Sequence, residues 1–161
     1  MGILVAIFLG WNLGSNDAAN IFGTAVSNKI LKFINAAIIS SIFVILGSLI
    51  GGEAGVKTYQ TINGSPQLSI AIIIGISAGL AVFVMTYFKL PVSTSHAILS
   101  GIIVSGILKG DLNIQPLYKI FVSWFASPLG SLMISYILYY IYLNNIKKHI
   151  KNIYMFERFI K

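Results

Sequence analysis

Residues 1–27 read MGILVAIFLGWNLGSNDAANIFGTAVS, an apolar run broken once, at GSNDAAN (residues 14–20), by an acid between two amides. Water does not explain the surroundings of this motif. Of the 161 residues, 57% are hydrophobic and 9% charged, with a mean hydropathy of +0.87. Soluble domains carry about 25% charged residues, so the bilayer is the expected solvent. A membrane helix needs about 20 mainly apolar residues. Stretches near 2–27, 34–52, 68–88, 91–109 and 116–143 meet or approach that length. The fold class expected is an all-α membrane protein of about five transmembrane, broken or re-entrant helices.

Charge collects between and after these stretches, at Lys29 and Lys32, Glu53 and Lys57, Lys89, and Lys109 with Asp111. The net charge of +7 does not indicate nucleic acid, because five of the eleven basic residues fall in the tail from Lys147 to Lys161. A basic tail beside a span marks the cytoplasmic face. If all five stretches cross, Lys29, Lys32 and Lys89 lie inside with the tail, whereas Lys57, Lys109 and Lys119 lie outside with the N-terminus. The chain then divides into a membrane-embedded repeat, 1–143, and a basic cytoplasmic tail or linker, 144–161, in a multi-pass protein of the plasma membrane. The first residues lack the basic start and A-x-A-like site of a cleaved signal peptide, so they are expected to stay in the mature chain. Cysteine is absent, which removes disulfides and thiolate metal sites. Gly47/Gly51 and Gly75/Gly79 have the spacing of close helix packing.

An odd number of crossings leaves the two ends on opposite faces, so a second copy fused after it would be inverted. Inverted repeats that bind substrate near the midplane are a recurrent secondary-transporter plan. The expectation is therefore one inverted-repeat half of a secondary transporter.

Asp17 is the only acid inside a span. A mid-membrane carboxylate costs about 2.5–3.5 kcal/mol on insertion scales, so such residues tend to line polar cavities. On a helix Asn16, Asp17, Asn20 and Thr24 form one polar stripe. A helix break near Asn12 and Gly14 would add backbone carbonyls. Carboxylate, amide and hydroxyl oxygens suit a small hard cation. The same residues also suit plainer work, in which amides glue helices and Asp17 caps a helix start.

The second polar cluster is LPVSTSHAILSG, residues 90–101. Pro91 disfavours helix at Leu90, and Ser93, Thr94 and Ser95 stand as N-cap candidates before AILSGIIVSGIL. A hydroxyl-lined helix N-terminus with free N–H groups attracts anions. An ordinary capped helix at the membrane surface fits the same residues. His96 is a candidate proton carrier, anion contact or structural hydrogen-bonder. A Ser/His/Asp hydrolase is disfavoured, because adjacent Ser95 and His96 point about 100° apart and no nucleophile-elbow pattern surrounds Ser93. In the last stretch Ser123, Ser127, Ser131 and Ser135 make a hydroxyl stripe, and Pro128 is expected to kink the helix.

No Lys or Arg lies within the apolar body of any stretch. A multivalent anion held at mid-membrane would meet dipoles, hydroxyls and the repulsion of Asp17. A cation on Asp17 removes that conflict, and obligatory co-binding is the thermodynamic basis of symport.

GSNDAANIFGTAV resembles the G-x-N-D-x-A-N signature of the inorganic phosphate transporter family. LPVSTSHAILSGIIVSG is similar to that family's P-V-S-[ST]-[ST]-H motif, and SWFASPLGS to its S-W-x-x-S-P segment. The resemblance runs from about residue 2 to 143. It implies a symporter of inorganic phosphate with Na⁺ or H⁺ and no bound cofactor. It also implies two inverted repeats with discontinuous helices meeting at a central site. By the same resemblance Asp17 and Asn20, with Asn16 beside them, belong to the cation-linked motif, holding Na⁺ if sodium is the co-ion. Ser93, Thr94 and Ser95 belong to the phosphate-binding motif. Family members normally carry the motif pair twice, and these 161 residues carry it once. The expectation is a fragment or half-size subunit needing a second half, ahead of an antiparallel homodimer. The alternatives are a transport-inactive half that serves as a partner module, and transport of another oxyanion such as sulfate.

Overall fold

The computed structural model describes residues 1–64 and 67–146. Helices α1 (Gly2–Ser15), α2 (Asp17–Ser27), α3 (Phe33–Asn63), α4 (Leu68–Tyr87), α5 (Thr94–Lys109) and α6 (Ile114–Ile141) follow in order. A π-helical turn, Tyr142–Ile146, ends the described chain. The described residues contain no strand. By length and composition α3, α4 and the segment Ile114–Asn144 can each cross a membrane. Helix α5 has 16 residues, or about 24 Å of rise, against a hydrocarbon core of about 30 Å. The most apolar windows of α3, α4 and the last segment are only 6%, 28% and 0% buried. Their side chains present apolar surface outward, as a membrane-embedded protein requires.

The chain groups into two compact units, one from Met1 to Pro116 and one from Leu117 onward. In the first, α1 packs on α4, α4 on α5, α3 on α5 and α2 on α3. The α1–α4 contact depends on missing side chains. A Cβ on Gly75 would run into Val5, and one on Gly79 would lie 2.5 Å from Phe8 Cε1. The Gly75/Gly79 spacing therefore does what its pattern suggests, whereas Gly47 and Gly51 face open space.

Helix α3 is longer than its apolar core. The sequence reading ends it near residue 52, but it runs to Asn63. An i,i+4 ion pair, Lys57 to Glu53 at 2.7 Å, lies on its exposed extension, worth only a few tenths of a kcal/mol. The larger cause is tertiary, since Ile62 is fully buried and Asn63 is 5% exposed. Gly64, at φ +62°, ends the helix. Of the turn expected at Asn63-Gly64-Ser65-Pro66, the last two residues lie outside those described.

Helices α2 and α4 both end on a lysine with positive φ, Lys29 at 59° and Lys89 at 60°. After α4 the N–H groups of Lys89 and Leu90 donate to the carbonyls of Thr86 and Met85, each at 2.9 Å. This left-handed cap closes the helix three residues before Pro91.

In the second unit, α6 stays helical through Pro128. Ser123 and Ser131 donate to the carbonyls of Ile120 and Pro128, so these two hydroxyls of the serine stripe turn back on their own helix. The π-helical turn straddles the boundary expected at 143/144. Residues 147–161, most of the expected basic tail, lie outside the described residues.

Candidate functional site

The first apolar run is two helices, not one. The break falls at Asn16, with φ −108° and ψ −65°, rather than at Asn12 or Gly14. Backbone bonding bridges it, because Asn16 N–H donates to Asn12 O at 2.9 Å and Asn20 N–H to Asn16 O at 3.1 Å. The junction is a bend with helix on both sides, and Asp17 opens the first turn of α2. A carboxylate there is favoured by the helix dipole.

The Asn16 side chain, 4% exposed, ties this bend to the α4–α5 hairpin. Its Nδ2 donates to Thr86 Oγ1 at 2.8 Å and to Leu90 O at 3.3 Å. Its Oδ1 accepts from Asn20 Nδ2 at 3.2 Å and from Val92 N–H at 3.1 Å. Thr86 passes its own proton to Val82 O at 2.8 Å, which leaves its lone pairs for Asn16. The hairpin therefore turns at the level of the bend. The eleven residues of α2, about 16 Å of rise, carry the chain onward to Lys29.

Two helix N-termini meet across this stitch. Asp17 follows Asn16, and Ser93 follows Val92, so the acidic and hydroxyl motifs are neighbours through one hydrogen bond. The sequence reading places Asn16 among the cation ligands, yet both acceptor positions of its Oδ1 are occupied by protein donors. Asp17 is half-buried, and among the described residues its carboxylate has no hydrogen-bond or ion-pair partner. Asn20 and Thr24 are exposed and share a helical face with Asp17. Asn20 keeps its Oδ1 free of the protein contacts that engage its Nδ2.

The three hydroxyls diverge. Ser93 caps α5, accepting from His96 N–H at 3.4 Å. Thr94 is 4% exposed and its Oγ1 is buried without a partner. Ser95 and His96 are exposed. With His96 N–H on Ser93, the N–H groups of Thr94 and Ser95 remain the first-turn donors without an acceptor. His96 also holds Ser100 Oγ through its carbonyl at 2.9 Å.

Sequence reasoning overlooked Thr86, and treated Asn12 only as a helix-break position. Thr86 is one of four hydroxyl side chains in apolar α4, with Ser69, Ser77 and Tyr87, a weak signal until Asn16 is seen against it. Asn12 is fully buried; its Nδ2 donates to Phe8 O at 3.0 Å, and its Oδ1 has no partner.

The sequence of this chain matches the model of the phosphate transporter family over residues 13–160. It is 34% identical over 153 residues to sodium-dependent phosphate transporter 1 of Mus musculus, covering 88% of this chain and 22% of that protein. The rat protein of the same name is 35% identical, with the same coverage. The chloroplastic inorganic phosphate transporter 2-1 of Arabidopsis thaliana is 27% identical over 149 residues, covering 85% of this chain and 25% of that protein. A relative in Methanocaldococcus jannaschii, named as a phosphate permease, is 33% identical and is covered over 44% of its length. The chain thus spans less than half the length of each of these relatives. No solved structure matches it. With the N-D-x-x-N bend stitched to the S-T-S-H helix start and the family model matched across both, the chain belongs to the phosphate transporter family.

Proposed function

We propose that this chain is one repeat of a phosphate:cation symporter of the plasma membrane, its basic tail in the cytoplasm, working with a second half or as an oligomer. The supporting observation is the Asn16 stitch, which holds the acid-bearing start of α2 against the hydroxyl-bearing start of α5. In this reading phosphate meets the free N–H groups of Thr94 and Ser95, with the hydroxyls of Ser93 and Ser95 beside it; Thr94, whose Oγ1 is buried, serves through its N–H. The co-ion, Na⁺ or H⁺, sits on Asp17, and Asn20 and Thr24 add amide and hydroxyl oxygens when it is Na⁺. Asn16 acts by positioning both helix starts. His96, exposed one turn into α5, is a second contact to the anion or a proton carrier.

Charge supplies the coupling. A phosphate dianion beside a bare Asp17 carboxylate is repelled in a low-dielectric site, and a cation on Asp17 cancels that repulsion. Neither ion then binds well alone. The sodium dependence in the mouse relative's name agrees with this coupling.

The test is uptake of labelled phosphate by proteoliposomes, with the chain alone and with the remaining half of a full-length relative. Uptake should require an imposed Na⁺ or H⁺ gradient, and excess sulfate should compete weakly. Uptake that ignores both gradients overturns the symport reading, and equal competition by sulfate overturns the phosphate assignment. Asp17→Asn should remove gradient dependence and lower uptake by at least about 100-fold, equivalent to about 2.7 kcal/mol, while the protein still inserts. Unchanged coupling would make the acid structural.

A further inference from the structure

The C-terminal part of α3 presents charge at a depth where the rest of the first unit presents hydrocarbon surface. Val56 of α3, Ile74 of α4 and Ile102 of α5 line one cavity, so the three stand at one level. Ile74 and Ile102 lie six and seven residues inside the near ends of their helices, about 9–10 Å. Helix α4 is long and apolar enough to cross a membrane, and at this level its Ile73 is 62% exposed. The depth therefore belongs to hydrocarbon. Yet the ion-paired side chains of Glu53 and Lys57, on either side of Val56 along α3, are 81% and 70% exposed. Hydropathy alone would set this pair outside the bilayer, whereas packing sets it beside α4. Charged side chains at such a depth face protein or a polar cavity rather than lipid.

The seam that carries the pair indicates what covers it. Ile39, Phe43, Leu46, Ile50, Glu53 and Lys57 follow at alternating spacings of four and three residues, the a/d spacing of helices that pack along their length. All six are exposed. On this seam an acid is followed one turn later by a base. A two-fold axis along the membrane normal makes such a pattern match itself. Each Glu53 then lies between its own Lys57 and the Lys57 of the second copy, and the four apolar residues fill the rest of the seam. The same axis leaves both copies inserted in one direction. A partner seam of a single sign would set either Glu53 or Lys57 against like charge.

We propose that this face of α3 is an interface between two copies of the chain. The two α3 helices pack in parallel along the seam from Ile39 to Lys57, and Glu53 and Lys57 close a ring of four charges across the axis. This interface is independent of the transport reading, and its test does not use uptake.

The chain has no cysteine, so single introduced cysteines report the contact without background. In membranes of the expressing cells treated with copper phenanthroline, Phe43→Cys, Leu46→Cys and Ile50→Cys should each cross-link to a dimer. Ser48→Cys, on the opposite side of the helix, should not. A cross-link at one seam position alone would mean an antiparallel crossing and overturns the proposal. So do cross-links at none of the three, or equal cross-linking at Ser48→Cys.

Charge is tested with Ile50→Cys as the reporter. Glu53→Lys and Lys57→Glu should each lower cross-linking at least about fivefold, because like charges then meet across the axis. Co-expression of the two variants should restore it, since one copy then brings two bases and the other two acids. A pair acting only within its own helix gives no such restoration. Undiminished cross-linking in the single variants, or failed restoration with both inserted and folded, overturns the proposal. Carbonate extraction and circular dichroism report insertion and folding. If a charge variant fails either, the cysteine pattern on the unaltered charges decides alone.

Discussion

Asn16 makes more side-chain hydrogen bonds than any other described residue, four in all. Its removal strands Val92 N–H and loosens Asn20, Thr86 and Leu90 together. Stranded buried groups cost about 1–3 kcal/mol each, so Asn16→Ala should lower stability by about 2–4 kcal/mol. Thermal unfolding in detergent checks this, with Asn28→Ala as the exposed control, since Asn28 bonds only within the end of α2. Lys89 offers a change in the opposite direction. Its φ of +60° costs an L-residue about 1–2 kcal/mol, so Lys89→Gly should raise stability by about 0.5–1 kcal/mol in the same assay. A neutral or negative result would show that the lysine side chain has a compensating contact. At this scale the sequence displayed Asp17, Asn20 and Thr94 as polar residues in apolar surroundings but not the bonding of Asn16. Nothing within residues 14–20 indicates that the partners lie 70 to 76 positions later.

Helices in a bilayer associate without help from water, because lipid tails are as apolar as leucine, and so they depend on close packing. Gly79 against Phe8 is such a place, and the rigid ring cannot fold aside as a flexible chain would. Gly79→Val should force α1 and α4 apart at a cost of about 1–3 kcal/mol. Gly47→Ala, on an open face of α3, should be neutral or stabilising by up to about 1 kcal/mol. Unfolding midpoints for the two variants separate a packing glycine from an incidental one. Both positions carry the same Gly-x-x-x-Gly pattern, so the sequence alone does not rank them.

For the whole molecule the decisive quantity is how little apolar surface its own fold covers. Ile3, Ile50, Leu108 and Phe125 are more than 70% exposed, and α6 has a window with no buried residue. Such surface is stable only against lipid or another chain. The protein should therefore stay in the membrane pellet through alkaline carbonate and high-salt washes and leave it only in detergent. Release by carbonate would mean peripheral attachment.

Composition and hydropathy alone determined the membrane solvent, the helical class and the places where most helices begin. Along one segment the bilayer reads little besides the length and polarity of that segment. The two motifs were legible for a related reason: in an apolar chain every buried acid, amide or hydroxyl is costly and stands out. Tertiary structure decided the rest. It extended α3 by eleven residues beyond its apolar core because Ile62 and Asn63 are buried, and it placed the helix bend at Asn16. It also turned the α4–α5 hairpin at the depth of that bend, where the distant Thr86 hydroxyl and the backbone of Leu90 and Val92 fill three of the four hydrogen-bond positions of the Asn16 amide.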